Sequence, residues 1–317
     1  MASSVAAQLE DLRQLRARVA AVGQPDEGMR GTAADPAKRS AAMDLVVVHT
    51  IRQALEAAAM LGGGAAHEEL AEVAAAVVRS IGTTPDAALA VCDAVADGMC
   101  SALWARRGLH WTLASAARLA QHAECHGRLL GAGIVQATVK AVGGEDEETP
   151  LQLGRTHSAV GAQLDVVACI VLAFLSESEP SAALLVPTEC IVALVNTLLQ
   201  RLALAPGPAE AEHIVSQRLF YGLPLFYRPR FLVQALANLS LHSAAHAAAA
   251  WQTPLPGILR GLQRGTLAND TADNVPYGSP AAMEVARGLA ASMLCDAAGV
   301  RDAAPDDLQA MRALAAG

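Results

Sequence analysis

The chain has 317 residues, of which 53% are hydrophobic and only 3% aromatic, and its formal net charge is −8. A core drawn from Ala, Leu and Val favours helices that pack closely on small side chains, so an all-α fold is expected. The acidic balance argues against a general nucleic-acid binder, because phosphate binding rests on Lys and Arg; a local basic patch remains compatible with it.

Residues 1–22 form an amphipathic segment, with Val5, Leu9, Leu12 and Val19 near one face. It is expected to be a capping helix over the end of a stack. Residues 23–39 are rich in Gly, Pro and charge and are expected to be a flexible linker. The remainder, 40–317, is expected to be one helical repeat domain. Two helices fall within 40–81, broken at Gly62-Gly63-Gly64. Thr84-Pro85-Asp86 then carries a capping oxygen and a first-turn proline.

The stretch from Leu109 to Gly144 organises the chain. A small-residue helix runs from Leu109, through Leu113, Ala116, Ala117, Leu119 and Ala120, to a break at Gly131-Ala132-Gly133. Ile134, Val135, Thr138, Val139 and Val142 restart the period. Further apolar helices are predicted at 165–175, 191–202, 231–246, 255–262 and 281–295, with a last one from Pro305. The segment 145–163 reads as a loop or short helix, 204–228 as irregular, and 265–279 as a loop.

The form A-x-L-[A/S] recurs at Ala117, Ala173 and Ala237, at intervals of 56 and 64 residues. Together with Gly131 to Val135, this resembles the armadillo repeat family over 109–262. A HEAT-like unit fits 40–108 and 280–315 equally well. The resemblance implies an irregular armadillo/HEAT-like, right-handed α-solenoid of stacked helical hairpins. It also implies a non-catalytic scaffold or adaptor whose partners are other proteins. Armadillo units run about 40 residues, so each interval needs an insertion, and one hairpin alone cannot bury its apolar face. Leu119, Ile134, Ile170, Leu194, Leu239 and Ile258 are then expected in one continuous core.

Few patterns point to chemistry, and no cofactor, metal or small-molecule substrate is expected. His122 and His126 are four apart, a spacing that can hold a metal, and His242 and His246 repeat it 120 residues later. The repetition favours contacts to helix-end carbonyls instead. Arg155-Thr156-His157 resembles a substrate-binding segment of the aspartase/fumarase superfamily, which implies a helical lyase as an alternative. The lysine loop of that family is absent. A structural subunit of a large assembly is a further alternative.

The segment 218–231 holds five of the seven Phe and Tyr residues. Arg218, Phe220, Tyr221, Phe226, Tyr227, Arg228 and Arg230 are candidates for partner binding, because aromatics and arginines dominate interface hot spots. The alternative is a structural cover over the stack. Asn238 matches the asparagine that pins extended ligands in peptide-binding armadillo proteins. The six cysteines, Cys92, Cys100, Cys125, Cys169, Cys190 and Cys295, form no C-x-x-C pair. They suit a reducing compartment. No apolar run reaches the roughly 18 residues that span a bilayer, and Glu10 and Asp11 argue against a secretory signal. A cytoplasmic location is expected, with the nucleus or a cilium or cytoskeletal structure also compatible.

Overall fold

A computed structural model describes residues 2–23, 45–60, 64–82, 85–143, 159–203, 229–265 and 280–317. Among the described residues there are sixteen α-helices and no strand. The fold is all-α. The chain divides into two compact units, Met1–Gln152 and Leu153–Gly317. The expected linker lies outside the described residues, apart from Gly23, which ends the first helix.

The first unit contains α1 (Ala2–Gly23), α2 (Leu45–Ala58), α3 (Ala65–Ile81), α4 (Pro85–Trp104), α5 (Leu109–Ala120), α6 (Ala123–Gly131) and α7 (Ile134–Gly143). Helices pack on the helix two or three places along as well as on their neighbours. In one layer α1 packs on α3 and α3 on α5; in the other α2 packs on α4 and α4 on α7. Small residues make this stacking close. Ala71, Ala74 and Ala75 of α3 and Ala114, Ala116 and Ala117 of α5 are fully buried. Where α4 crosses α2, a Cβ placed on Gly98 would lie 3.0 Å from the Cβ of Leu55.

The α3–α5 contact is also fastened by polar groups. Ser115 Oγ donates to the Ala75 carbonyl at 2.5 Å, and Gly108 N donates to Glu68 Oε1 at 2.8 Å. Both bonds join residues 40 apart in the sequence.

The second unit contains α8 (Ala159–Leu175), α9 (Ser181–Leu184), α10 (Glu189–Ala203), α11 (Pro229–His242), α12 (Ala244–Trp251), α13 (Leu255–Gln263), α14 (Pro280–Leu294), α15 (Ala297–Asp302) and α16 (Pro305–Ala316). Here α8 packs on α11, α11 on α14, and α13 on α16. A triplet recurs: α5–α6–α7, α8–α9–α10, α11–α12–α13 and α14–α15–α16. In each the middle helix is the shortest.

Leu119 and Ile134 are buried in the first unit, and Ile170, Leu194, Leu239 and Ile258 in the second.

Three sequence expectations need correction. The helix expected to run unbroken from Leu109 to the glycine pair breaks at Gln121-His122, where His122 is extended (φ −108°, ψ 112°). The helix expected over 231–246 ends at His242 and restarts after Ser243, whose side chain caps His246 N. The third concerns apolar length. Helix α4 has 20 residues and is long and apolar enough to cross a membrane, by length and composition only. Most of its apolar window, 61%, is buried inside the protein, as in a core helix.

Candidate functional site

Most of the expected partner-binding segment lies outside the described residues: Arg218, Phe220, Tyr221, Phe226, Tyr227 and Arg228. So do Arg155, Thr156 and His157. The described end of the segment opens α11. Arg230 is exposed, and its guanidinium sits 4.4 Å from the centroid of the Phe231 ring. Phe231 meets Phe174 of α8 edge to face, with centroids 6.4 Å apart.

Asn238 is buried, and its amide works between helices. Its Nδ2 donates to the Ala173 carbonyl at 3.0 Å and to Glu177 Oε1 at 2.9 Å. Its Oδ1 accepts from Gln234 at 2.9 Å. Asn238 therefore ties α11 to the end of α8.

The histidines do similar work. His126 Nε2 donates to the Ala120 carbonyl at 2.7 Å, closing α6 against the end of α5. His246 Nε2 donates to the Val186 carbonyl at 2.7 Å, tying α12 to the residues after α9. Burial lowers the pKa of His246, although the Val186 bond opposes it. Among the described residues no group of three or more His, Cys, Asp or Glu is placed to hold a metal.

The thiols face one another in pairs. Cys92 of α4 is buried beside Cys125 of α6, its Sγ 3.9 Å from the Cys125 carbonyl. The neighbouring Cys125 and burial hold the Cys92 thiol far above the ordinary range. Cys190 and burial do the same to Cys169. A thiol held protonated is a poor nucleophile.

The charged feature that the sequence reading missed surrounds Trp111. Arg16 of α1 and Arg79 of α3 place their guanidinium carbons 5.4 and 5.3 Å from the centroid of this half-buried α5 ring. Arg79 and Arg118 are only 7% and 8% exposed, whereas Arg16 is exposed. Arg118 Nη1 donates to Gln121 Oε1 at 3.1 Å. Burial, then Arg118, then Arg16, pull the pKa of Arg79 down to about 9. It stays a cation at neutral pH. The available signal was the interval of 39 residues between Arg79 and Arg118, close to one repeat of about 40.

Next to this cluster, burial and Arg79 pull the pKa of His110 down to about 4. His110 is therefore neutral in the fold, while in the unfolded chain it titrates near 6.5. The unfolded state binds more protons between these values, so this stabilisation is full above about pH 6.5 and is lost as pH falls to about 4. The expected loss from this one group is about 2–3 kcal/mol. Melting temperatures measured from pH 7 to 4 should fall less steeply for His110→Gln than for the parent. His122 and His246, also lowered by burial, leave a residual slope of the same sign. Parallel curves would refute the assignment.

No family model matches the chain, and no curated protein matches it. Crystal structures of two engineered proteins are similar to it. One has 13% identity and a TM-score of 0.39, covering 82% of this chain and 96% of its own. The other has 16% identity and a TM-score of 0.41, covering 99% of this chain and 74% of its own.

Proposed function

We propose that the chain is a non-catalytic protein-interaction scaffold built on an armadillo-like stack of helices. The observation that carries this reading is the α3–α5 contact, whose fastening bonds join residues 40 apart. That is the repeat length of armadillo and HEAT units. The four triplets with a short middle helix support it further, since a repeated unit that buries its face only against neighbours makes an extended surface for partners. The polar side chains that suggest chemistry serve the stack instead: His126, His246 and Asn238 each hold a backbone carbonyl. The buried free cysteines suit a reducing compartment such as the cytoplasm.

The segment 218–231 is the partner-binding candidate on sequence grounds. Pro224 and Pro229 restrict it, which lowers the entropy lost on binding. With a partner identified by affinity capture and mass spectrometry, Tyr221→Ala combined with Tyr227→Ala should weaken binding by about 1–4 kcal/mol. The melting temperature should hardly move. A lowered melting temperature with affinity unchanged per folded molecule would make the segment a structural cover.

A further inference from the structure

Helix α3 meets its two partners in the α1–α3–α5 layer with different faces. Glu68, Ala71 and Ala75 face α5: Glu68 accepts from Gly108 N, a Cβ on Gly108 would lie 2.9 Å from the Ala71 Cβ, and the Ala75 carbonyl accepts from Ser115. Glu69 and Glu72 face α1, and Val73 and Ala76 continue their line at helical spacing. We propose that this second face is a docking site for a basic amphipathic helix of a partner protein, and that α1 is its intramolecular, autoinhibitory occupant. The inference rests on the scaffold reading and names the partner chemistry for one of its surfaces.

Three observations favour it. The first is how little of α1 is enclosed. Among its described side chains, at 6–17, Leu9, Leu12 and Leu15 are buried and the others are not. They lie three apart, on a narrow stripe of the kind that a helix lays into a groove. In α5, by contrast, every residue except Leu109 and Trp111 is buried. Helix α5 is part of the core, whereas α1 rests on it.

The second is charge. Arg13 of α1 pairs with Glu69. Arg16 faces Glu72 and opposes the rise in its pKa that burial, Glu68 and Glu69 cause. The seat is therefore acidic and its occupant basic. Arg16 also reaches the Trp111 ring, 5.4 Å from its centroid, which sets the register on the α5 side. The two arginines stand four and seven residues after Leu9. A partner helix with leucines at i, i+3 and i+6 and basic residues at i+4 and i+7 meets the same groups.

The third is connection. Residues 24–44 alone join α1 to α2, so α1 can leave its seat on α3 and α2 without displacing another helix. The Arg13–Glu69 pair is exposed and adds little, which leaves the three leucines as the main hold. The tether raises the local concentration of α1 at its seat, so a separate helix competes poorly until α1 is released.

The test is fluorescence anisotropy on the full chain, with a labelled peptide of residues 2–23 as the probe. The parent should bind it weakly, because α1 holds the seat. Leu12→Asp places a charge in the middle of the buried stripe and unseats α1. That chain should bind the peptide at least about tenfold more tightly than the parent, with affinity falling as salt rises. A peptide carrying Arg13→Glu and Arg16→Glu should bind it about tenfold more weakly. Hydrogen exchange on the parent gives an independent reading: α1 amides should exchange at least about tenfold faster than those of α3 and α5, because α1 opens by itself. Equal protection of α1 and α3 would overturn the inference. So would unfolding of the first unit by Leu12→Asp, a folded Leu12→Asp chain that does not bind the peptide, or binding indifferent to the charge reversal. The scaffold reading would still stand or fall on the Tyr221 and Tyr227 experiment, which does not use this face.

Discussion

Gly108→Ala should destabilise the first unit by about 2–5 kcal/mol, measured by urea unfolding. Two physical terms add. Gly108 is left-handed, with φ +51°. An L-residue there costs about 1–2 kcal/mol. The new Cβ would also meet the backbone of α3, at 2.8 Å from Glu72 N and 3.0 Å from the carbonyl carbon of Ala71. A helix backbone cannot move aside as a side chain does, so α5 would have to lift from α3. That lift would stretch the Gly108–Glu68 and Ser115–Ala75 bonds. A loss below about 1 kcal/mol would mean that α5 does not approach α3 this closely.

Gly299→Ala should do comparable damage in the second unit. An added Cβ would lie 2.0 Å from Trp251 Cδ1 and 2.5 Å from both Trp251 Cγ and Asp296 Oδ2. The indole cannot simply turn away, because its Nε1 donates to the Met293 carbonyl at 2.8 Å. Asp296 is the cap of α15, accepting from Gly299 N at 2.7 Å. Overpacking costs about 1–3 kcal/mol, and loss of a cap adds about 0.5–2 kcal/mol. Removing the ring with Trp251→Ala should make the glycine substitution much cheaper, a non-additivity that a double-mutant cycle reads directly. Additive effects would refute the contact.

These two glycines show what the sequence could not disclose. Each looks ordinary in the chain; its importance comes from a helix that folding brings against it. The longer helices were legible, because apolar residues such as Leu194, Val195 and Leu198 repeat at helical spacing. The short helices were not. The break at Gln121-His122 contains neither Pro nor Gly, and what accompanies it is a local side-chain bond from His126 back to the Ala120 carbonyl six residues earlier. The starts of α12 and α15 did carry local signals, Ser243 and Asp296 as capping residues, hidden in runs rich in alanine. The helix-end role of His126 and His246 was readable from their repetition. The Trp111 cluster was not, since Arg79 and Arg118 look like solvated charges until the stack buries them.

The most direct measurement is equilibrium unfolding of three fragments: 1–152, 153–317 and 191–317. The claim is that the polar side chains fasten stacked helices within each unit. Fragments 1–152 and 153–317 should each be helical and unfold cooperatively. Fragment 191–317 lacks the carbonyls of Ala173 and Val186, so Asn238 and His246 lose those partners. Each group left unsatisfied costs about 1–3 kcal/mol, and α11 also loses its packing on α8. Fragment 191–317 should therefore melt well below 153–317. Equal stability of these two fragments, or failure of 1–152 to fold, would contradict the account.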